Sequence, residues 1–210
     1  ALTPGFLENV SEVEVQFEAL MHNYHKVMPD AMYAPTYLLV GANRGIGQAS
    51  LAGQLVTLTR VVDDTEKLQK LIAHELSHFQ QAMAMGGQKY QSLYTSSGNM
   101  LGLCLREGGA EFITSLVLGN ITQTKALNYL DTNEARLKNQ FLEDLETQNK
   151  KFWLWDSIDQ KSYPKLMGYA MGYKICNHYY ETSADKKLAI EQILKMENPD
   201  AFLKSSGYFE

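Results

Sequence analysis

The chain has 210 residues, 45% of them hydrophobic, and a formal net charge of -5. That length and apolar content can bury a real core, as one domain or one domain with a small appendage. The acidic balance and the lack of any basic stripe argue against nucleic acid as the main partner, and no apolar run approaches the ~20 residues that a spanning helix needs.

Residues 6 to 27 set Leu7, Val10, Phe17, Leu20, Met21 and Tyr24 at helical spacing, and Pro29 closes that helix. From 36 to 62 the character changes. "TYLLVG" and "QLVTLTRVV" are apolar and β-branched with glycine punctuation, which predicts strands joined by a Gly-containing turn. Asp63, with Glu66 three residues on, makes a capping-box-like start for the next helix, and Gly86-Gly87 makes its stop. From about residue 98 the pattern is helical almost throughout, with breaks near Gly119, Pro164 and Pro199. The expected fold is α+β and mainly α. A small antiparallel or mixed sheet occupies the N-terminal third (1–62), helices follow at 63–118, and a helical part covers 119–210, all in one domain. Cys104 and Cys176 have no CxxC spacing and are expected as small buried hydrophobes. The chain opens at Ala1 without a signal-like segment, which fits an exported protein of periplasm or envelope slightly better than a cytoplasmic one.

The second predicted helix carries His74-Glu75-Leu76-Ser77-His78, the spacing H-E-x-x-H. At about 100° per residue the two histidines are one turn apart and project the same way. Leu68, Leu71, Ile72, Phe79 and Met83 fill the neighbouring arc, so the pair borders the core. Two imidazoles at i and i+4 supply one edge of a zinc tetrahedron. Glu75 cannot reach the same ion comfortably and stands instead where it can take a proton from an activated water.

A third ligand is needed. "LCLREGGAEFITSL" holds Glu107 and Glu111 four apart on one helical face, with Gly108, Gly109 and Ala110 between them. Small residues let such a helix approach another closely. Two carboxylates in a largely apolar helix resist burial unless a cation or hydrogen-bond donors stabilise them. If Glu107 ligates, Glu111 can accept the free N–H of one histidine and fix its tautomer.

"HELSH" followed by "REGGAEF" resembles the gluzincin metallopeptidases, the group that includes thermolysin and the zinc aminopeptidases. The nearest likeness is to a family of predicted zinc-dependent proteases with H-E-x-x-H followed by E-G-x-A-[DE]-[FY]. The resemblance implies a zincin-like fold with Zn²⁺ on His74, His78 and Glu107, support of a histidine by Glu111, and Glu75 as general base. It also implies a peptide or protein substrate. Arg106 stands where the aminopeptidase pattern has Asn. Tyr169-Ala170-Met171-Gly172 resembles the aminopeptidase Y-x-x-G, whose tyrosine donates to the oxyanion. Tyr169 is the first candidate for that role, Tyr173 the second, and His178 a possible further donor. In gluzincins an edge strand ahead of the metal helix pairs with substrate backbone, and Gln48 to Thr59 lies in that place. Trp153 and Trp155 are expected to pack.

Two other readings stand beside the metallopeptidase. One is a non-catalytic binding or scaffold protein that keeps the zincin fold; the intact Glu75 favours the enzyme over it. The other comes from "GANRGIG", whose Gly41, Gly45 and Gly47 spell a dinucleotide phosphate loop. That reading needs a helix after Gly47 and further βαβ units. The following "QASLAGQLVTLT" reads as strand, and no Tyr-x-x-x-Lys occurs, so an NAD(P)-binding oxidoreductase is the remote alternative.

Overall fold

A computed structural model describes residues 10–39, 47–50, 52–57, 64–93, 98–122, 124–154 and 163–210. The order among them is α1 (Val10–Val27), β1 (Thr36–Leu39), β2 (Gly47–Ser50), β3 (Gly53–Thr57), α2 (Thr65–Met85), α3 (Gly87–Leu93), α4 (Met100–Leu118), α5 (Thr124–Thr132), α6 (Glu134–Thr147), α7 (Met167–Thr182), α8 (Lys186–Lys195) and α9 (Pro199–Ser206). The fold is α+β and mainly α, as the sequence pattern implies. No described helix is long and apolar enough to cross a membrane. The chain divides into two compact units, 1–80 with 113–120, and 81–112 with 121–210.

In the first unit, Leu20, Tyr24 and Met28 recur every four residues and are buried. The Tyr24 hydroxyl reaches the Ala73 carbonyl and lies 2.7 Å from Ser77 Oγ, and Ser77 Oγ is 3.2 Å from Thr114 Oγ1. Gln80 clasps the backbone of Met32 from both sides, its Oε1 accepting from the Met32 N–H at 3.0 Å while its Nε2 donates to the Met32 carbonyl. The sheet has strand order β1-β3-β2, with β1 parallel and β2 antiparallel to β3, so it is mixed. Gly47 stands opposite Val56, and Val56 is fully buried. Leu7, residues 41–46 of the "GANRGIG" stretch and Trp155 lie outside the described residues.

α2 begins one residue later than the capping pattern suggests. Asp64 Oδ1 accepts from the Lys67 N–H at 2.8 Å, whereas Asp63 lies outside the described residues. Its stop is as expected, because Gly86 adopts φ +83°, a left-handed conformation that glycine takes without a Cβ penalty. Leu68, Ile72, Leu76 and Phe79 are buried on its core face, but Met83 is exposed. The apolar arc beside the histidines therefore ends one turn earlier than its periodicity implies.

In the second unit, α4 is buried nearly all round from Met100 to Phe112, as a helix apolar on every face must be. α7 crosses it at two glycines. A Cβ on Gly108 would lie 2.2 Å from the Gly172 carbonyl carbon, and one on Gly172 would lie 2.0 Å from the Cys104 carbonyl oxygen. Trp153 is fully buried, donates from Nε1 to Asp144 Oδ2 at 2.9 Å and meets the Phe141 ring edge-on, so it packs as expected. Cys104 and Cys176 are free, buried thiols whose pKa values burial pushes up, which suits the small-hydrophobe reading.

Candidate metal centre

His74 and His78 point the same way from α2, their ring centroids 4.5 Å apart and the planes nearly perpendicular at 88°. His74 is half-buried and His78 buried, so both stand at the border of the core. Glu107 of α4 joins them. One ligand atom from each of the three residues lies within 4.8 Å of the others. A tetrahedral ion with bonds of ~2.0–2.2 Å wants donor atoms roughly 3.5 Å apart, which small side-chain rotations from this spread can reach. Two imidazoles and one carboxylate form a donor set that suits zinc, and three protein ligands leave a fourth position open.

The surroundings are specific. Glu107 is 3% exposed, and its Oε1 accepts from Arg106 Nη2 at 2.6 Å. Glu111, one turn further along α4, is buried and accepts from the Thr122 hydroxyl. Glu75 is buried beside β2. A Cβ built on Gly47 would lie 2.6 Å from Glu75 Oε1 and 2.8 Å from its Cγ, so the strand backbone rests directly on this carboxylate.

A family model described as predicted Zn-dependent protease (DUF2268) matches residues 36–204. The chain belongs to that family. No curated protein and no solved structure matches it. The match takes in the sheet, both helices of the His74–His78–Glu107 cluster and α7, and it coincides with the residues that carry the resemblance to zinc proteases.

In this DUF2268 protein the glycine crossing brings the Tyr173 N–H region of α7 against Gly108, the residue after Glu107. Tyr169 and Tyr173 are both buried on α7, 8% and 9% exposed. The Tyr173 ring packs edge-on against Phe112, with centroids 6.0 Å apart. His178 is engaged elsewhere: its Nδ1 lies 2.7 Å from the Ser206 carbonyl, and its ring faces Tyr208. This contact ties α7 to the end of α9.

Three contacts were not legible from the sequence motifs. Arg106 stood out only as a departure from Asn, although a cation inside "LCLREGGA" can be buried only with a partner. Gly47 reads as the last glycine of a phosphate-loop pattern; the structure sets it closely against Glu75. Thr122, the hydroxyl donor to Glu111, follows the end of α4 and carries no motif.

Proposed function

We propose that this protein is a zinc-dependent peptidase in which His74, His78 and Glu107 hold the ion. The observation that carries the reading is the three-residue cluster within 4.8 Å, with Glu75 next to one of its histidines in the chain. Zinc, when bound, supplies a Lewis acid that lowers the pKa of water and polarises a carbonyl. Glu75 takes the proton from the attacking water and hands it to the departing amine. Tyr169 donates a hydrogen bond to the carbonyl oxygen as negative charge builds there. Glu111 accepts the non-ligating N–H of one of the histidines and fixes its tautomer. A peptide substrate is supported by β2, which is an outer strand of the described sheet and borders Glu75 through Gly47. An extended backbone added alongside such a strand would run past the general base.

The test is hydrolysis of a broad peptide library by the zinc-loaded chain, with loss on chelation and recovery when zinc is returned. A zinc-loaded protein that cleaves nothing would overturn the peptidase and favour the scaffold.

Within this reading the two tyrosines separate. Tyr169→Phe is expected to lower kcat by on the order of 10²-fold with little change in KM, because its hydroxyl acts only as charge develops. Tyr173→Phe should change kcat little, since its ring packs on Phe112. Measuring both variants on one substrate decides the assignment, and a larger loss from Tyr173→Phe would reverse it.

Gly47→Ala tests the strand contact. The new methyl group cannot share space with Glu75 Oε1, so the carboxylate must move. A displacement near 1 Å in a catalytic group costs on the order of 10²-fold in rate. The variant should keep its zinc while kcat falls by about that factor, with an overpacking cost of about 1–3 kcal/mol in stability. Unchanged turnover would show that Glu75 has room to work elsewhere.

A further inference from the structure

Arg106 is fully buried and among the largest side chains with no exposure, an unusual position for a guanidinium. It reaches its own chain neighbour, Nη2 to Glu107 Oε1 at 2.6 Å, with both side chains out of solvent. Adjacent residues on a helix diverge by about 100°, so an i,i+1 pair forms only if the long side chain folds around the helix. The backbone there is fixed as well, since the Arg106 carbonyl accepts from Gln81 Nε2 at 2.7 Å. The guanidinium lies 6.0 Å from the Tyr90 ring centre. Stability alone does not explain such an arrangement, because a buried ion pair replaced by well-packed apolar groups is often neutral or stabilising.

We propose that Arg106 is a positioning residue that stands in for the metal: it supplies the positive charge Glu107 needs when zinc is absent. The inference rests on Glu107 being a zinc ligand, as in the proposed function. A buried carboxylate without a cation or donors is costly. In the metal-free chain Arg106 meets that need, so the site folds before metal arrives, unlike small domains that are unfolded without zinc. Once zinc is bound, the ion can balance Glu107 by itself and Arg106 becomes partly redundant. The guanidinium also repels the incoming dication, so it tempers zinc affinity.

The experiment is a comparison of melting temperatures in chelator and in excess zinc chloride, with zinc affinity measured by chelator competition. Arg106→Gln should lower the metal-free melting temperature much more than the zinc-loaded one. Its zinc dissociation constant should tighten by on the order of tenfold. Arg106→Lys, which keeps the charge, should restore most of the metal-free stability. The double variant Arg106→Gln/Glu107→Gln should be more stable without metal than Arg106→Gln alone, because no buried charge is left unbalanced. If Arg106→Gln does not fold without metal while Arg106→Lys and the double variant do, the proposal holds. Equal losses with and without zinc, weakened zinc binding, or no recovery in the double variant would each overturn it. Failure of the wild type to bind zinc would instead sink the metal reading, and the metal-free comparison of single and double variants would still report the charge balance.

Discussion

Glu75→Gln is expected to abolish measurable peptide hydrolysis while zinc content and melting temperature stay near those of the wild type. The amide nearly preserves the shape of the carboxylate, and the side chain is buried beside Gly47, so a change in shape would be felt at once. What it loses is the ability to take a proton. General-base catalysis contributes on the order of 10²–10⁴-fold, so a peptidase of ordinary turnover falls to background. Glu75 is not among the three clustered residues that could hold an ion, which is why metal binding should survive. The check is rate and zinc content on one preparation. Retained hydrolysis would place the base elsewhere, and loss of zinc would mean that Glu75 is a ligand.

Gly172→Ala should be strongly damaging to the second unit. Its Cβ would lie 2.0 Å from the Cys104 carbonyl oxygen and 2.8 Å from the Cys104 carbonyl carbon, both backbone atoms that cannot rotate away. α7 and α4 must separate, and overpacking of this kind costs about 1–3 kcal/mol or more. Helix propensity acts in the opposite direction, favouring Ala over Gly by about 1 kcal/mol, so a net loss isolates the steric effect. Net of that gain, the upper end of the range lowers the melting temperature by roughly 4–8 °C for a chain of this size. Gly109→Ala is the comparison: its Cβ would meet only side-chain atoms, Gln81 Nε2 at 3.2 Å and Ile193 Cγ2 at 3.3 Å, which can yield. Thermal unfolding of the two variants side by side decides the matter. A Gly109→Ala loss equal to or greater than that of Gly172→Ala would contradict the account of this crossing.

The parts of the fold legible in the sequence were those written in periodicity. The spacing in "KLIAHELSHFQQAM" fixes a helix and sets both histidines on one side, because residues four apart share a face whatever surrounds them. Gly86 announced the helix end for an equally local reason, the left-handed φ that follows Met85. The starting cap was misread by one residue, since "DD" offers two equivalent caps and only the backbone path selects Asp64. Gly108 suggested a close helix approach, and the structure pairs it with Gly172. Pairing of that kind is a property of tertiary packing and leaves no trace in spacing. The same holds for His178: its helix was predictable, whereas its tie to the Ser206 carbonyl depends on where the C-terminal helix returns. Arg106 had the clearest chemical signal of the unread contacts, a lone cation in an apolar helix next to a carboxylate.

Metal content is the most direct measure of the central claim. Purified protein, supplied with zinc at neutral pH and freed of excess, should retain stoichiometric zinc, and anomalous scattering at the zinc edge should give a peak among His74, His78 and Glu107. His74→Ala and His78→Ala should each lose the ion, and Glu107→Gln should weaken binding more than Glu111→Gln does. Wild-type protein that retains no zinc, or retains it undiminished in His74→Ala and His78→Ala, would contradict the account.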